Sequence, residues 1–238
     1  MKKTFSKKKS AFSLIELSIV LIVIGLLIAG ITGGASLIKS SELRSVMGEA
    51  RGYAVAVNAF YSQFNALPGD YGTAVAGSDV LGDGDGLIEY WNSATAEGSE
   101  AWRDLKSIGA IDATLTYVST ATASQAAGNN LPSSKIKSSG WAFDNNTTSA
   151  QNVVVLTAGT VGTAGSATNT VVNISAAPVA QGAILAADAL SIDSKIDDGV
   201  ANLGKVRGVL AACNTNATYT VATAGKICAL SYQVDVNS

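Results

Sequence analysis

The first residues that could do chemistry are four acidic side chains around a glycine-rich stretch. GDGDG places Asp83 and Asp85 in a turn, with Asp79 before it and Glu89 after it. Carboxylate oxygens that converge from a flexible turn are the ligands that calcium requires. The pattern predicts either a calcium site or a solvated acidic turn, and calcium is the only cofactor that the sequence suggests.

This turn does not follow the EF-hand pattern. Aligning GDGDG with an EF-hand loop puts Leu81 at its first position and Asn92 at its twelfth. Both positions need a carboxylate in that loop, so any calcium would be held differently. A second acidic pair, Asp197 and Asp198 in SKIDDG, would end a helix or meet the first turn in space.

Enzymatic chemistry finds little support in this composition. The chain contains no histidine, which removes the commonest general base and the commonest transition-metal ligand. The sequence shows no nucleophile–base–acid arrangement, and its glycine pairs follow no strand-to-helix phosphate pattern. We therefore expect a protein that is not an enzyme.

Cys213 and Cys228 are the two cysteines of the chain. Two cysteines alone cannot form a four-thiolate zinc site, so a disulfide is the simplest pairing if the domain is exported. The bond would close a loop of about 15 residues. Two buried free thiols are the alternative in a cytosolic chain.

The chain is almost continuously apolar from Phe12 to Ile31, and this run contains one charge, Glu16. About 20 apolar residues are what a helix needs to cross a bilayer. A glutamate costs about 2.5–3.5 kcal/mol at the bilayer centre and less near an end. A cleaved secretory signal is an alternative, with Ala29 and Gly30 as small residues for its cleavage site. Five lysines precede the run and place that end in the cytoplasm: Lys2, Lys3, Lys7, Lys8 and Lys9.

The sequence AFSLIE at residues 11–16 resembles the motif, close to GFTLIE, of type IV pilins and type II secretion pseudopilins. The resemblance implies that a prepilin peptidase cuts between Ala11 and Phe12 and methylates the new Phe12 amine. It also implies that Glu16 meets the terminal amine of a neighbouring subunit as a filament grows. The family usually has glycine before the cut, and Ala11 is the smallest substitute, so we expect cleavage that is slower or still competent.

The elements that position these residues begin with one long helix. No proline occurs before Pro68, and apolar residues recur at three- and four-residue steps up to Phe64. The pattern predicts a helix from about Phe12 to about Phe64, ended by LPGDYG. Short β-branched runs after Gly140, NVVVLTA and TNTVVNIS among them, predict strands. GKVRGVLAAC and GKICALSYQV predict two further strands that flank the cysteine loop. The expected fold is α+β: a long N-terminal helix, half transmembrane and half amphipathic, packed on an antiparallel sheet as in pilins.

These patterns divide the chain into a leader, an anchor and an exported domain. In the loop between the cysteines, the chain resembles the disulfide-bounded C-terminal region of type IV pilins. SEAWRDLKSIGAI predicts a short helix that Ser99 caps and Gly109 ends. The predicted segments are the leader 1–11, the transmembrane and filament-core helix 12–38 and the globular domain 39–238, which comprises the rest of the helix at 39–65, a connecting region at 66–137 and a β-rich region at 138–238.

The resemblance implies a structural subunit of a type IV pilus-like filament, serving adhesion, motility or DNA uptake. The alternatives are a pseudopilin of a type II secretion system and a minor tip pilin that binds a ligand. The implied partners are other copies of the subunit, the prepilin peptidase and an inner-membrane assembly platform. The protein would sit in the bacterial inner membrane before assembly and then in an extracellular or periplasmic filament. Without its five leading lysines the chain has 11 basic and 18 acidic residues, which argues against direct nucleic-acid binding.

Overall fold

The computed structural model describes residues 13–73, 82–88, 97–116, 127–146, 151–158 and 181–234. The chain divides into two compact units, residues 1–41 and residues 42–238. The predictions for TNTVVNIS at residues 168–175, for Asp79 and for Glu89 lie outside the described residues.

Helix α1 runs from Leu14 to Phe64. It ends where Asn65 takes a positive φ of 53° and donates its amide to the Tyr61 carbonyl at 2.7 Å. Pro68 then prevents continuation because it lacks an amide hydrogen. Within the second unit, the buried positions of α1 recur at helical spacing: Leu43, Val46, Ala50, Ala56, Val57 and Phe60.

Within the described residues, the second unit also contains two shorter helices, a four-stranded antiparallel sheet and a two-stranded hairpin. Helix α2 spans Glu97–Ser107 and helix α3 spans Ala186–Ile196. The four-stranded sheet has the order β1-β2-β6-β3, with every neighbouring pair antiparallel. Its strands are β1 (Gly140–Asn146), β2 (Gln151–Thr157), β3 (Val206–Gly208) and β6 (Leu230–Gln233), while β4 (Asn214–Thr215) and β5 (Thr218–Tyr219) form a separate hairpin.

Aromatic side chains join α1 and α2 to the first strand of the sheet. The ring of Tyr53 on α1 lies 4.8 Å from that of Trp102 on α2 and 5.7 Å from that of Trp141 on β1. Trp102 in turn lies 4.2 Å from Phe143. Edge-on and tilted ring pairs at these distances stabilise a core beyond their area burial. The predicted α+β class, a long helix packed with an antiparallel sheet, is confirmed.

Some local predictions are wrong in detail. Ser99 does not cap α2, because the helix already begins at Glu97. The predicted strand in GKVRGVLAAC is only three residues long, since the chain turns where Cys213 donates its amide to the Leu210 carbonyl at 2.8 Å. In GKICALSYQV the regular strand begins at Leu230.

Candidate functional site

Two side-chain hydrogen bonds cap the N-terminus of α1. The Ser13 amide donates to Glu16 Oε2 at 2.8 Å, and the Ile15 amide donates to Ser13 Oγ at 3.3 Å. This is a variant of the capping box, in which the Ser13 hydroxyl reaches the Ile15 amide instead of the Glu16 amide. Glu16 therefore has a role within its own chain, in addition to the role that the resemblance implies. Ala11 and Phe12 lie outside the described residues.

The side chains of α1 in the first unit are exposed, and most of them are apolar. Leu14 is 87% exposed, Leu26 69% and Ile38 64%. Among the described residues, α1 is the one helix long and apolar enough to cross a membrane, and none of its apolar window is buried within the protein. Exposed apolar surface on this scale marks a segment that a membrane or other protein chains cover.

The acidic turn gains a carboxylate that the sequence analysis missed. Asp70 joins Asp83 and Asp85, and one carboxylate oxygen of each lies within 4.8 Å of the others. Asp70 is nearly buried, whereas Asp83 and Asp85 are exposed. The signal in the sequence was the glycine–aspartate pair of LPGDYG, which resembles the glycine–aspartate pairs of GDGDG.

Asp70 holds the acidic turn in shape. Its two oxygens accept hydrogen bonds from the Gly84 amide at 2.7 Å and the Gly86 amide at 3.0 Å. Both glycines have positive φ, 79° and 88°, a conformation that side chains disfavour. Burial raises the pKa of Asp70, and the two amide bonds partly offset that rise. Asn152 on β2 fixes the far end of the turn by accepting from the Ile88 amide at 2.8 Å.

The carboxylates of Asp70, Asp83 and Asp85 could supply part of a calcium coordination sphere. Three carboxylates are fewer than the six to eight oxygen ligands that calcium takes, so carbonyls or water would have to complete the shell. Asp83 Oδ1 already accepts from the Asp85 amide at 3.1 Å, and Asp85 Oδ1 from the Leu87 amide at 2.8 Å. These bonds stabilise the turn without an ion, so its geometry is compatible both with a calcium site and with a solvated acidic turn.

The second acidic pair belongs to a different cluster. Asp197 and Asp198 lie near Asp193 at the end of α3, and in the described part of the chain they do not join the first turn. Asp193 is buried and accepts from the Tyr219 hydroxyl at 2.8 Å and from the Gly199 amide at 3.3 Å. Burial raises the pKa of Asp193 to about 6, while these bonds act in the opposite direction. Asp197 accepts from the amides of Lys205 and Val206, so it fixes the approach to β3.

Cys213 and Cys228 form a disulfide, as the sequence predicts. Both cysteines are buried. The β4–β5 hairpin lies inside the loop that they close, and Tyr219 on β5 carries the hydroxyl bound to Asp193. The disulfide and the Tyr219–Asp193 hydrogen bond therefore both restrain this loop.

Comparison with known proteins identifies a sequence motif at the N-terminus. Residues 6–32 match the family model described as the prokaryotic N-terminal methylation motif, which is the signature of type IV pilins and pseudopilins. No curated protein and no solved structure gives a significant match to the chain. The protein carries a pilin-type N-terminus together with an α+β domain, which supports a pilin-like or pseudopilin-like role.

Proposed function

We propose that this protein is a structural subunit of a type IV pilus-like filament that serves adhesion, motility or DNA uptake. The methylation motif at residues 6–32 carries the proposal. The exposed apolar helix that overlaps the motif supports it, because this surface needs a cover before and after assembly. Lipid would cover it in the inner membrane, and the helices of neighbouring subunits would cover it in the filament.

Processing would prepare the subunit for this exchange. A prepilin peptidase would cut between Ala11 and Phe12 and methylate the Phe12 amine, leaving Glu16 as the fifth residue of the cut chain. An inner-membrane platform would then move the subunit into an extracellular or periplasmic filament. Apolar side chains would stay out of water throughout, so helix packing rather than a new hydrophobic driving force would favour the filament.

Glu16 would set the position of each subunit along the filament. Its Oε2 caps α1, whereas its Oε1 makes no hydrogen bond within the described residues. That oxygen would accept the Phe12 amine of a neighbouring subunit. A carboxylate in an apolar surrounding is costly unless it is paired, so only the register that supplies the amine would be stable.

The test is assembly of a Glu16→Ala subunit in cells that lack the native chain. The variant should enter the membrane but yield no filaments by shearing and electron microscopy. Ser18→Ala is the matched control, because Ser18 lies on the same exposed helix and its hydroxyl donates to the Ile15 carbonyl. Normal filaments from Glu16→Ala would remove the registration role.

A secretion pseudopilin is the second candidate, and the acidic turn favours it. Some pseudopilins that the chain resembles hold calcium in loops of the globular domain. Asp70, Asp83 and Asp85 would supply three ligands here, and Asp79 and Glu89 are the further residues suggested by the sequence. A filament confined to the periplasm, together with calcium-dependent stability of the domain, would favour this candidate over a surface pilus.

A further inference from the structure

A cavity of about 350 Å³, lined by polar and apolar groups in similar measure, lies beside the second half of α1. Its walls come from α1, from residues 112–114 after α2 and from residues 132–135 before β1. The volume is near the lower end of the range for small-molecule sites, about 300–1,000 Å³. The cavity is separate from both acidic clusters and from the disulfide.

Glu49 forms a fixed part of the cavity wall. Its carboxylate accepts hydrogen bonds from Ser134 Oγ at 2.7 Å, from the Lys135 amide at 2.9 Å and from Trp141 Nε1 at 2.8 Å. These bonds tie α1, the segment before β1 and β1 itself to one carboxylate. The wall is therefore held in shape without a ligand, which lowers the ordering cost of binding.

Three other polar side chains of the cavity wall are unpaired within the described residues. Within the described residues, the Tyr53 hydroxyl, the Asp112 carboxylate and the Lys135 ammonium make no side-chain hydrogen bond or ion pair. Asp112 and Lys135 are exposed, whereas Tyr53 is half-buried. The Tyr53 ring is fixed by edge-on packing against Trp102 and Trp141. A half-buried hydroxyl without a partner is a group that a ligand can satisfy.

The charges of the wall discriminate among ligands. The charge of Glu49 is already met by three hydrogen-bond donors of the protein, so Asp112 and Lys135 are the charges that a ligand meets. Asp112 disfavours an anion, and Lys135 disfavours a cation. A neutral ligand rich in hydroxyl groups can donate to Asp112 and accept from Lys135 and from the Tyr53 hydroxyl. Thr114 and Ser133 add two hydroxyls that both donate and accept.

We infer that this cavity binds a neutral sugar residue through Tyr53, Asp112 and Lys135. The inference concerns the second unit alone and does not rest on filament assembly. It gives the domain a ligand-binding role that is compatible with either a pilin or a pseudopilin.

Saturation-transfer difference NMR on the full-length chain tests the inference, in a detergent without a sugar headgroup. The probes are glucose, galactose, mannose and N-acetylglucosamine, with acetate and ethylammonium as charged probes. At least one of the four sugars should give saturable transfer. The charged probes should give none.

Two variants locate the binding. Asp112→Ala combined with Lys135→Ala should weaken the bound sugar about tenfold or more, which corresponds to about 1.4 kcal/mol. Glu42→Ala combined with Lys226→Ala is the matched control, since it removes the same charges from exposed positions outside the cavity. Tyr53→Phe should weaken binding while thermal stability is unchanged, because the hydroxyl makes no hydrogen bond within the described residues.

Three results would overturn the inference. None of the four sugars could bind, a charged probe could bind instead, or the cavity variant could bind sugar as well as the control. The purified chain is used without assembly, so these results are independent of whether filaments form.

Discussion

Glu16 accepts a hydrogen bond from the amide of Ser13, three residues earlier, at 2.8 Å. One side chain thus satisfies the first amide of an exposed apolar helix and keeps a second oxygen for another partner. The local role and the proposed assembly role use different oxygens of the same carboxylate.

Removing the Ser13 hydroxyl should loosen the first turn of α1 without blocking assembly. Ser13→Ala removes the bond to the Ile15 amide and leaves Glu16 in place. Loss of a capping side chain costs about 0.5–2 kcal/mol. Amide hydrogen exchange of the detergent-solubilised chain should be faster at Ile15 and unchanged beyond the first turn.

Ser18→Ala is the control, because its hydroxyl bonds a carbonyl rather than a free amide. Equal exchange at Ile15 in both variants would show that the box contributes nothing to the helix. Loss of filaments in Ser13→Ala would instead mean that capping itself is needed for assembly.

Calcium should stabilise the second unit if the acidic turn holds the ion. An ion that binds only the folded state raises the melting temperature by mass action. Calorimetry of the full chain should show a higher melting temperature in calcium than in chelator. Asp83→Asn with Asp85→Asn should abolish the difference, while Glu42→Gln should preserve it. Identical melting temperatures in calcium and in chelator would mean that the acidic turn is solvated and binds no calcium.

Two buried carboxylates should make the domain less stable as the pH rises. Burial raises the pKa of Asp104 to about 6, with the nearby Glu100 adding to the rise and the Gly69 amide bond opposing it. Burial raises the pKa of Asp193 to about 6 as well. Each folded-state pKa lies above the unfolded value, so the folded chain binds more protons than the unfolded chain in this range.

The contribution of these groups is thus greatest below about pH 4 and is lost as the pH rises through about 6. Asp104→Asn and Asp193→Asn should each flatten the dependence of unfolding free energy on pH, measured by urea denaturation. Tyr219→Phe removes a bond that favours ionised Asp193. The Tyr219→Phe variant should therefore lose unfolding free energy more steeply as the pH rises. A dependence unchanged in both asparagine variants would be inconsistent with these raised pKa values.

Removing the disulfide should destabilise the hairpin loop between the cysteines. The bond closes a segment with a sequence separation of 15, for which loop entropy gives about 3 kcal/mol. Cys213→Ala combined with Cys228→Ala should lower the unfolding free energy by that order in urea denaturation. The same loss on reduction of the native chain would exclude an effect of the substitutions. An unchanged midpoint would mean that Tyr219 and Asp193 alone hold the loop.

Local features of this fold could be predicted from the sequence. The three- and four-residue spacing and the late first proline predict α1, and the β-branched run at Val153–Val155 predicts β2. The capping box is also local, with a readable spacing from Ser13 to Glu16, although the surrounding apolar run directs attention to the membrane. Strand lengths are less predictable, because partners across the sheet decide where pairing stops.

The remaining contacts are distant in sequence. The side chain of Asp70 binds amides 14 and 16 residues later, and Glu49 binds Trp141 across 92 residues. No local pattern reports which distant donor a carboxylate will meet. The sequence therefore predicted the acidic turn without Asp70, and it did not predict the cavity beside Glu49.

The most direct test of the proposed pilin role is intact mass spectrometry of protein sheared from cells, compared with the membrane fraction. We predict a sheared species that begins at methylated Phe12 and lacks two hydrogen atoms because of the Cys213–Cys228 bond. The same processed mass in membranes alone would shift the function to a pseudopilin or a tip subunit. An uncut chain that begins at Met1 would contradict processing after Ala11, and with it the proposed filament.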